Sequence, residues 1–379
     1  MSTPLRAGLV GCGSLSQRGV LPHLTQADAQ DNVKLVAVAD VVEARARETA
    51  QHFKIPAHFT TIEEMLDGAD IDIALIITPI PFHHPNALAA IRAGKHVYIQ
   101  KAMTTTVAEA DELIAEATAA NVKIAAAPGF ELFPSTAHMR DAIRNLGRVC
   151  VGHTYTMGFG HEFEPIRGGE GALAEINPAW YYRAGAGPLP DVTIYSLQLI
   201  TSLLGPVRRV TALSNKVQAQ RTWRGETIDV EVDDNNLVLM EFQSGALVTA
   251  VGANCRGSRR IPWGGVGLYG TDGTLEILDV DHASGYPTAY EVTTDKAQEY
   301  TFDLDAQPWL RAEHLNIEEP HVYADIMDLA AAIREDRAPI ASAEQARHVV
   351  EIIEAARAAS ASGATQTLQT TFATPATES

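Results

Sequence analysis

The chain has few cysteines, no long apolar run and a shortage of positive charge. Its three cysteines, Cys12, Cys150 and Cys255, are odd in number and far apart in 379 residues. That spacing excludes a disulfide framework and the paired-cysteine pattern of a structural metal site. No stretch reaches the roughly 18 apolar residues of a membrane span, and no basic-then-apolar leader precedes the first strand. A cytoplasmic protein with no metal is expected. Lysine and arginine number 29 against 47 aspartates and glutamates, a formal net charge of −18. Such a balance disfavours nucleic acid and acidic membranes as partners. Internal repeats and long linkers are not evident.

The remaining composition, 46% hydrophobic and 20% charged, is ordinary for a soluble globular chain. The length exceeds what one core usually supports, so two domains are expected. In the first third, short apolar runs at 5–10, 33–39, 73–77, 97–99 and 122–126 alternate with helical patterns at 15–26, 43–53, 86–93 and 107–120. That alternation predicts βαβ units and a doubly wound parallel sheet, a Rossmann domain over residues 1–127.

The pattern changes near Ala127-Pro128-Gly129. A helix is expected at 135–146, then strands at 149–159, 208–214, 229–241, 246–253, 266–269 and 274–278. Ser244-Gly245 and Asp272-Gly273 read as hairpin turns. A helix at 191–204 ends at Gly205-Pro206. Helices at 320–334 and 342–360 close the chain, and the tail from Ala361 reads as frayed. Residues 128–379 therefore predict an α/β domain with a large, mostly antiparallel sheet. The two closing helices are candidates to pack back on the first domain.

Gly11-Cys12-Gly13-Ser14-Leu15-Ser16 follows the first strand and opens a helix. Glycines there let the backbone turn and approach a pyrophosphate, whose charge the helix N-terminus receives. Ser16 replaces the usual third glycine. Asp40 ends the second strand, where an acid accepts hydrogen bonds from ribose hydroxyls. No lysine or arginine follows before Arg45, so a ribose phosphate would be repelled and NAD is expected rather than NADP. Lys101 falls just past the buried run Val97-Tyr98-Ile99, at the strand edge where ligands bind in open parallel sheets.

Thr78-Pro79-Ile80-Pro81-Phe82-His83 and, some twenty residues on, Gln100-Lys101-Ala102 form an ordered set with Gly185-Ala186-Gly187-Pro188-Leu189-Pro190-Asp191-Val192-Thr193-Ile194-Tyr195. The set resembles the Gfo/Idh/MocA family of glucose–fructose oxidoreductases and inositol dehydrogenases. The family's usual turns are Thr-Pro-Asn-x-x-His and Glu-Lys-Pro; here Ile80 stands for Asn, Gln100 for Glu and Ala102 for Pro. Tyr195 occupies the place of a His or Tyr, which puts the chain with the tyrosine-type branch. The resemblance implies cofactor contacts from Gly11, Gly13, Ser14, Leu15, Asp40, Thr78, Pro79, His83, Gln100 and Lys101. It implies that Lys101 bridges the cofactor ribose and the reacting hydroxyl. It also implies homodimers or homotetramers formed through an open C-terminal sheet.

Oxidation of a carbinol needs a base for the hydroxyl proton and fixed geometry against the nicotinamide. Asp191 and Tyr195, four residues apart, share one face of a helix start. A phenol with an ordinary pKa near 10 needs a nearby cation to act at neutral pH, and Lys101 would supply it. Asp191 would position substrate hydroxyls, although an aspartate at a helix start also serves as a cap. His83 and His84, before Pro85 and a helix, fit capping as well as substrate contact.

Tyr182, Arg183 and His161 are candidate sugar contacts. Arg256 and Arg259, in a loop with Arg260, would bind a carboxylate or sulfonate, or form a solvated basic loop. The expected function is NAD-dependent oxidation of a secondary hydroxyl of a sugar, polyol or glycoside. The alternative is a redox-assisted glycoside hydrolase: transient ring oxidation, elimination, water addition and re-reduction. Its substrate would be an anionic, uronate or sulfoquinovose-like glycoside, and it would need an extra base such as His153 or His161.

Overall fold

The apolar runs of the first third are strands buried on both faces, as in a sheet covered by helices on each side. The computed structural model describes residues 3–254, 264–281 and 286–373. It divides into two units, one of Met1–Gly129, His161–Trp180 and Pro308–Ala343, the other of Phe130–Gly160, Tyr181–Gln307 and Glu344–Ser379.

In the first unit, strands β1 (Leu5–Val10), β2 (Val33–Ala39), β3 (Ala57–Phe59), β4 (Ile73–Ile76), β5 (His96–Ile99) and β6 (Ile124–Ala126) form a sheet in the order β3-β2-β1-β4-β5-β6. Every pairing is parallel. Val10 lies beside both Ala39 and Ile76, and Ile76 beside Ile99, so the carboxyl ends of four strands are level. The crossover helices carry their own stop and start signals. Val107–Ala120 begins with a capping box between Thr106 and Glu109 and ends at Asn121 with φ of 53°. The helix Pro320–Glu335 packs on β5 and β6.

The expected helix at 15–26 is broken. Ser16–Val20 is a π turn, and only Leu21–Leu24 continues as α-helix, with Pro22 in its first turn. The strand β3 and the helix Ile62–Gly68 add a βα pair that the sequence reading passed over.

In the second unit, the strands are β7 (Val149–Met157), β8 (Val207–Asn215), β9 (Gln220–Trp223), β10 (Glu226–Asp229), β11 (Asn235–Phe242), β12 (Leu247–Ala253), β13 (Gly265–Gly270), β14 (Thr274–Val280), β15 (Pro287–Thr293), β16 (Ala297–Thr301) and β17 (Gln366–Thr367). Among the described residues the large sheet runs β16-β15-β14-β13-β7-β12-β11-β8-β17. It is antiparallel except where β12 meets β7. One face is buried beneath the helix Ile194–Leu204; the other leaves Leu213, Leu237, Leu239, Leu247 and Val151 exposed.

Two expectations fail here. The single strand at 229–241 is two, because the Asp234 carboxylate accepts hydrogen bonds from the Val217 and Gln218 amides and turns the chain. The tail is ordered through residue 373: Gln366–Thr367 pairs with β8, Glu351 accepts from the Gln369 and Thr370 amides, and Phe372 is buried.

Candidate active site

The level strand ends of the first unit place Gly11, Asp40, Thr78 and Lys101 on one edge of the sheet. Gly11 has φ of +95°, and a side chain there would meet the Ile77 carbonyl. Gly13 faces open space. Ser16, in place of a third glycine, is fully buried and donates its hydroxyl to the Gly11 carbonyl, closing the loop from within. Burial pushes the Cys12 thiol up to about 12, helped by the Asp40 charge, so it is a packing residue at neutral pH.

Asp40 accepts hydrogen bonds from the Cys12 amide (2.9 Å), the Val42 amide (2.9 Å) and Arg45 Nη1 (3.1 Å). A carboxylate has about four acceptor sites, so one remains for a ribose hydroxyl. The premise that no cation stands near Asp40 is therefore corrected. Arg45 is there, but its Nε and Nη2 are tied to the carbonyls of Ala172 and Glu175.

Residues 161–180 belong to this unit and lie against the loop. Ser14 donates to Glu164 (2.7 Å), which also binds Arg167 Nε (2.9 Å) and His161 Nδ1. Burial pushes the Glu164 carboxyl up. The charge and hydrogen bond of His161, the charge of Arg167 and the Ser14 hydroxyl outweigh it and hold the group well below the usual carboxylate range. His161, expected as a sugar contact, thus sits on Glu164 with its ring 5.9 Å from Trp180. Glu164 and Arg167 carry little sequence signal: their spacing i, i+3 is weak, and Ser14 is 150 residues from Glu164.

His83 is buried and joins two turns, its Nδ1 2.7 Å from the Ala102 carbonyl and its Nε2 2.7 Å from the Thr78 carbonyl. Lys101 is half-buried. Its amide donates to Gln100 Oε1, and Gln100 Nε2 donates to the Tyr98 hydroxyl. Gln100, expected as a cofactor contact, directs its side chain into the protein.

In the second unit, the Gly-rich turn bends at Gly185 and Gly187, with φ of 88° and 97°. A side chain on Gly187 would strike Val232. Leu189–Thr193 then forms a π turn that runs into the helix Ile194–Leu204. Asp191 lies inside this turn rather than capping it, and its amide donates to the Gly187 carbonyl. Asp191 and Tyr195 are both buried. The turn rests on β12, where Gly252 leaves room for the Thr193 side chain. Thr156 of β7 hydrogen-bonds Ser196. Tyr182 is fully buried under the Arg221 guanidinium, 5.6 Å from its ring centroid, and Arg183 is ion-paired with Glu231 at the surface. Burial holds the His153 imidazole below its usual range. Arg256 and Arg259 lie outside the described residues.

A doubly wound parallel sheet in this strand order is a dinucleotide-binding domain, here joined in one chain to a large, mostly antiparallel sheet. The chain belongs to the Gfo/Idh/MocA oxidoreductase family. The family's NAD-binding Rossmann domain matches residues 5–127 and its C-terminal α/β domain residues 145–368.

Among curated relatives, trans-1,2-dihydrobenzene-1,2-diol dehydrogenase of Mus musculus is 28% identical over 64% of this chain and 66% of that protein. This chain thus spans about two thirds of that relative's length. Two solved structures share the fold. Aldose-aldose oxidoreductase from Caulobacter crescentus complexed with glycerol has a TM-score of 0.76 and 22% identity, covering 96% of this chain and 100% of that one. Levoglucosan dehydrogenase with NADH and levoglucosan has a TM-score of 0.78 and 19% identity, covering 96% and 99%.

The first unit's residues fit NAD. The Gly11–Ser14 backbone is open on the Gly13 side, Asp40 keeps a vacant acceptor site, and the shielded Thr78 Oγ1 has no hydrogen-bond partner among the described residues. Among the described residues, no helix is long and apolar enough to cross a membrane.

Proposed function

We propose that this oxidoreductase removes hydride from a secondary hydroxyl of a sugar, polyol or glycoside. The observation that carries the reading is Lys101 at the carboxyl end of β5, level with the nucleotide loop and Asp40 on one sheet edge. NAD supplies the hydride acceptor. Gly11, Gly13, Ser14 and Leu15 receive its pyrophosphate, Asp40 a ribose hydroxyl, and Thr78 and Pro79 border the nicotinamide end. Tyr195 takes the hydroxyl proton. Lys101 provides the cation that makes a phenolate accessible at neutral pH and orients the substrate. Asp191 accepts hydrogen bonds from neighbouring hydroxyls. Tyr182, Arg183, Arg256 and Arg259 are the remaining candidate substrate contacts.

A second reading keeps the same residues but returns the hydride. It is a redox-assisted hydrolysis of a glycoside, with His153 or His161 as the extra base. One feature favours it: residues 161–180 lie across the dinucleotide loop through Glu164–Ser14 and Arg45–Ala172. A cycle that regenerates NAD has no need to exchange it.

The experiment incubates the full chain with NAD and a panel of polyols, neutral aryl glycosides and anionic aryl glycosides, following NADH absorbance and phenol release together. Stoichiometric NADH is expected for the first reading. Phenol without net NADH means the second. In either case Lys101→Met should abolish turnover and preserve the fold; unchanged single-turnover reduction of NAD in that variant would sink the proposal.

The exposed face of the large sheet supports self-association. Leu237 lies beside Leu213 and Val151 beside Leu247 across the strand pairs, with Leu239 between them, so the exposed face carries apolar side chains across four neighbouring strands. A second copy is the expected occupant, because these side chains run across paired strands and can pack on their own equivalents about a twofold axis. Sedimentation should report a dimer or tetramer that Leu237→Glu dissociates.

A further inference from the structure

Gln100 stands where the family commonly has glutamate, and the residues around it show what the amide is for. Tyr98 and Gln100, two residues apart, leave β5 on one face and are both buried. Gln100 Oε1 accepts from the Lys101 amide at 3.2 Å, which dictates that Nε2 points away, toward the Tyr98 hydroxyl at 2.8 Å. The tyrosine proton goes to Asp325 Oδ2 at 3.3 Å, and the Gly129 amide donates to Asp325 Oδ1 at 3.0 Å. Asp325 is fully buried on the helix Pro320–Glu335. Burial pushes its carboxyl well above the usual carboxylate range, and the hydrogen bonds from the Gly129 amide and the Tyr98 hydroxyl oppose that shift by favouring the ionised form. On the other side of Lys101, the Ala102 carbonyl is held by His83.

We propose that Gln100, Tyr98 and Asp325 are positioning residues that fix the backbone of Lys101 through a one-way chain of hydrogen bonds. The inference rests on the catalytic reading of Lys101. Each hydrogen bond has a fixed donor. Lys101 N–H feeds Gln100, Gln100 N–H feeds Tyr98, and Tyr98 O–H feeds Asp325, so each link uses a different proton. A glutamate at position 100 has no N–H to give. The single Tyr98 proton would then face two buried carboxyl groups, so one of them loses that donor or takes up a proton of its own, and either change breaks the donor order. An asparagine at position 325 breaks the chain from the other end, because two amides would donate to Tyr98 and the carboxylate that takes its proton is lost.

The two faults are complementary. With Gln100→Glu and Asp325→Asn together, the new amide donates to Tyr98 and the tyrosine proton passes to the new carboxylate. The carboxylate still accepts from the Lys101 amide. Donor order between positions 100 and 325 is reversed, and every group is again satisfied.

The test uses the full chain loaded with NAD. Amide hydrogen exchange is read in a peptide spanning residues 99–104, and kcat and KM are read with any hydroxyl substrate that reduces NAD. Each single variant should exchange faster in that peptide and lose about tenfold or more in kcat, with KM for NAD within about twofold. The double variant should recover both. Tyr98→Phe, which keeps the ring and removes the hydroxyl, should behave like the single variants and serves if one of those fails to fold. Single variants that exchange and turn over like the parent overturn the proposal, and so does a double variant no better than the worse single one. If the parent reduces NAD with no hydroxyl substrate, the functional reading fails while the exchange measurement still decides the relay.

Discussion

Under the proposed reading, Asp40 serves the protein and the cofactor at once. Its carboxylate holds the amides of Cys12 and Val42 and the Arg45 guanidinium, leaving about one acceptor site for a ribose hydroxyl. Asp40→Ala removes that acceptor and also leaves the Cys12 amide, inside the nucleotide loop, without its partner. NAD binding, followed by calorimetric titration, should weaken about tenfold or more, which corresponds to roughly 1.4 kcal/mol. Binding unchanged within about twofold would contradict the assignment. Asp40 and Lys101 were legible as residues because each comes directly after a buried strand, and strand ends in a parallel sheet share an edge. The contacts of Arg45, Glu164 and Asp325 were not. Arg45 is visible in the sequence five residues after Asp40, but its anchoring carbonyls at Ala172 and Glu175 are 127 and 130 residues away, and the partners of Glu164 and Asp325 are 150 and 227 residues away; no local pattern encodes those contacts.

At the scale of elements, both turns assigned to chemistry are π turns, Ser16–Val20 after the nucleotide loop and Leu189–Thr193 before Tyr195. Such turns are rare and cluster at functional sites. Apolar spacing predicts regular helices in both places, since it does not separate a π turn from an α turn. The second depends on Gly187, which has φ of +97° and lies against Val232. Gly187→Ala adds backbone strain and an overlap, costing on the order of 1–3 kcal/mol. Thermal unfolding should fall by several degrees. Because the turn carries Asp191, kcat should fall with it, even at a temperature where the variant is folded. A variant with parental melting and parental kcat would show that the turn tolerates a side chain. Legibility was poorest in the large sheet. Exposed β16 and two-residue β17 lack a clear apolar signature, and the turn at Asp234 lies inside a run that reads as one strand.

For the molecule as a whole, acid is the expected weakness, and two buried histidines set the direction. His348 Nε2 accepts from the Val207 amide at 2.9 Å, and Nδ1 lies 2.8 Å from Thr370 Oγ1, pinning the chain end to the large sheet. An imidazolium cannot accept, so the fold requires the neutral ring. Burial pushes the His348 imidazole down to about 4. In the first unit, burial and the neighbouring His314 push His23 down to about 3. A histidine whose folded pKa is depressed binds its proton preferentially in the unfolded chain. Its cost is absent above the unfolded value near 6.5 and grows as pH falls from there toward the folded value. Glu164 and Asp72, both held below the usual carboxylate range, add a further loss at lower pH. Between pH 7.5 and 5, His348 alone should cost about 2 kcal/mol. His348→Gln keeps a hydrogen-bonding amide and removes the titration. Urea midpoints measured at both pH values should drop less in this variant than in the parent, with the difference confined to that window. Equal drops would mean that His348 is not a group through which acid unfolds the second unit.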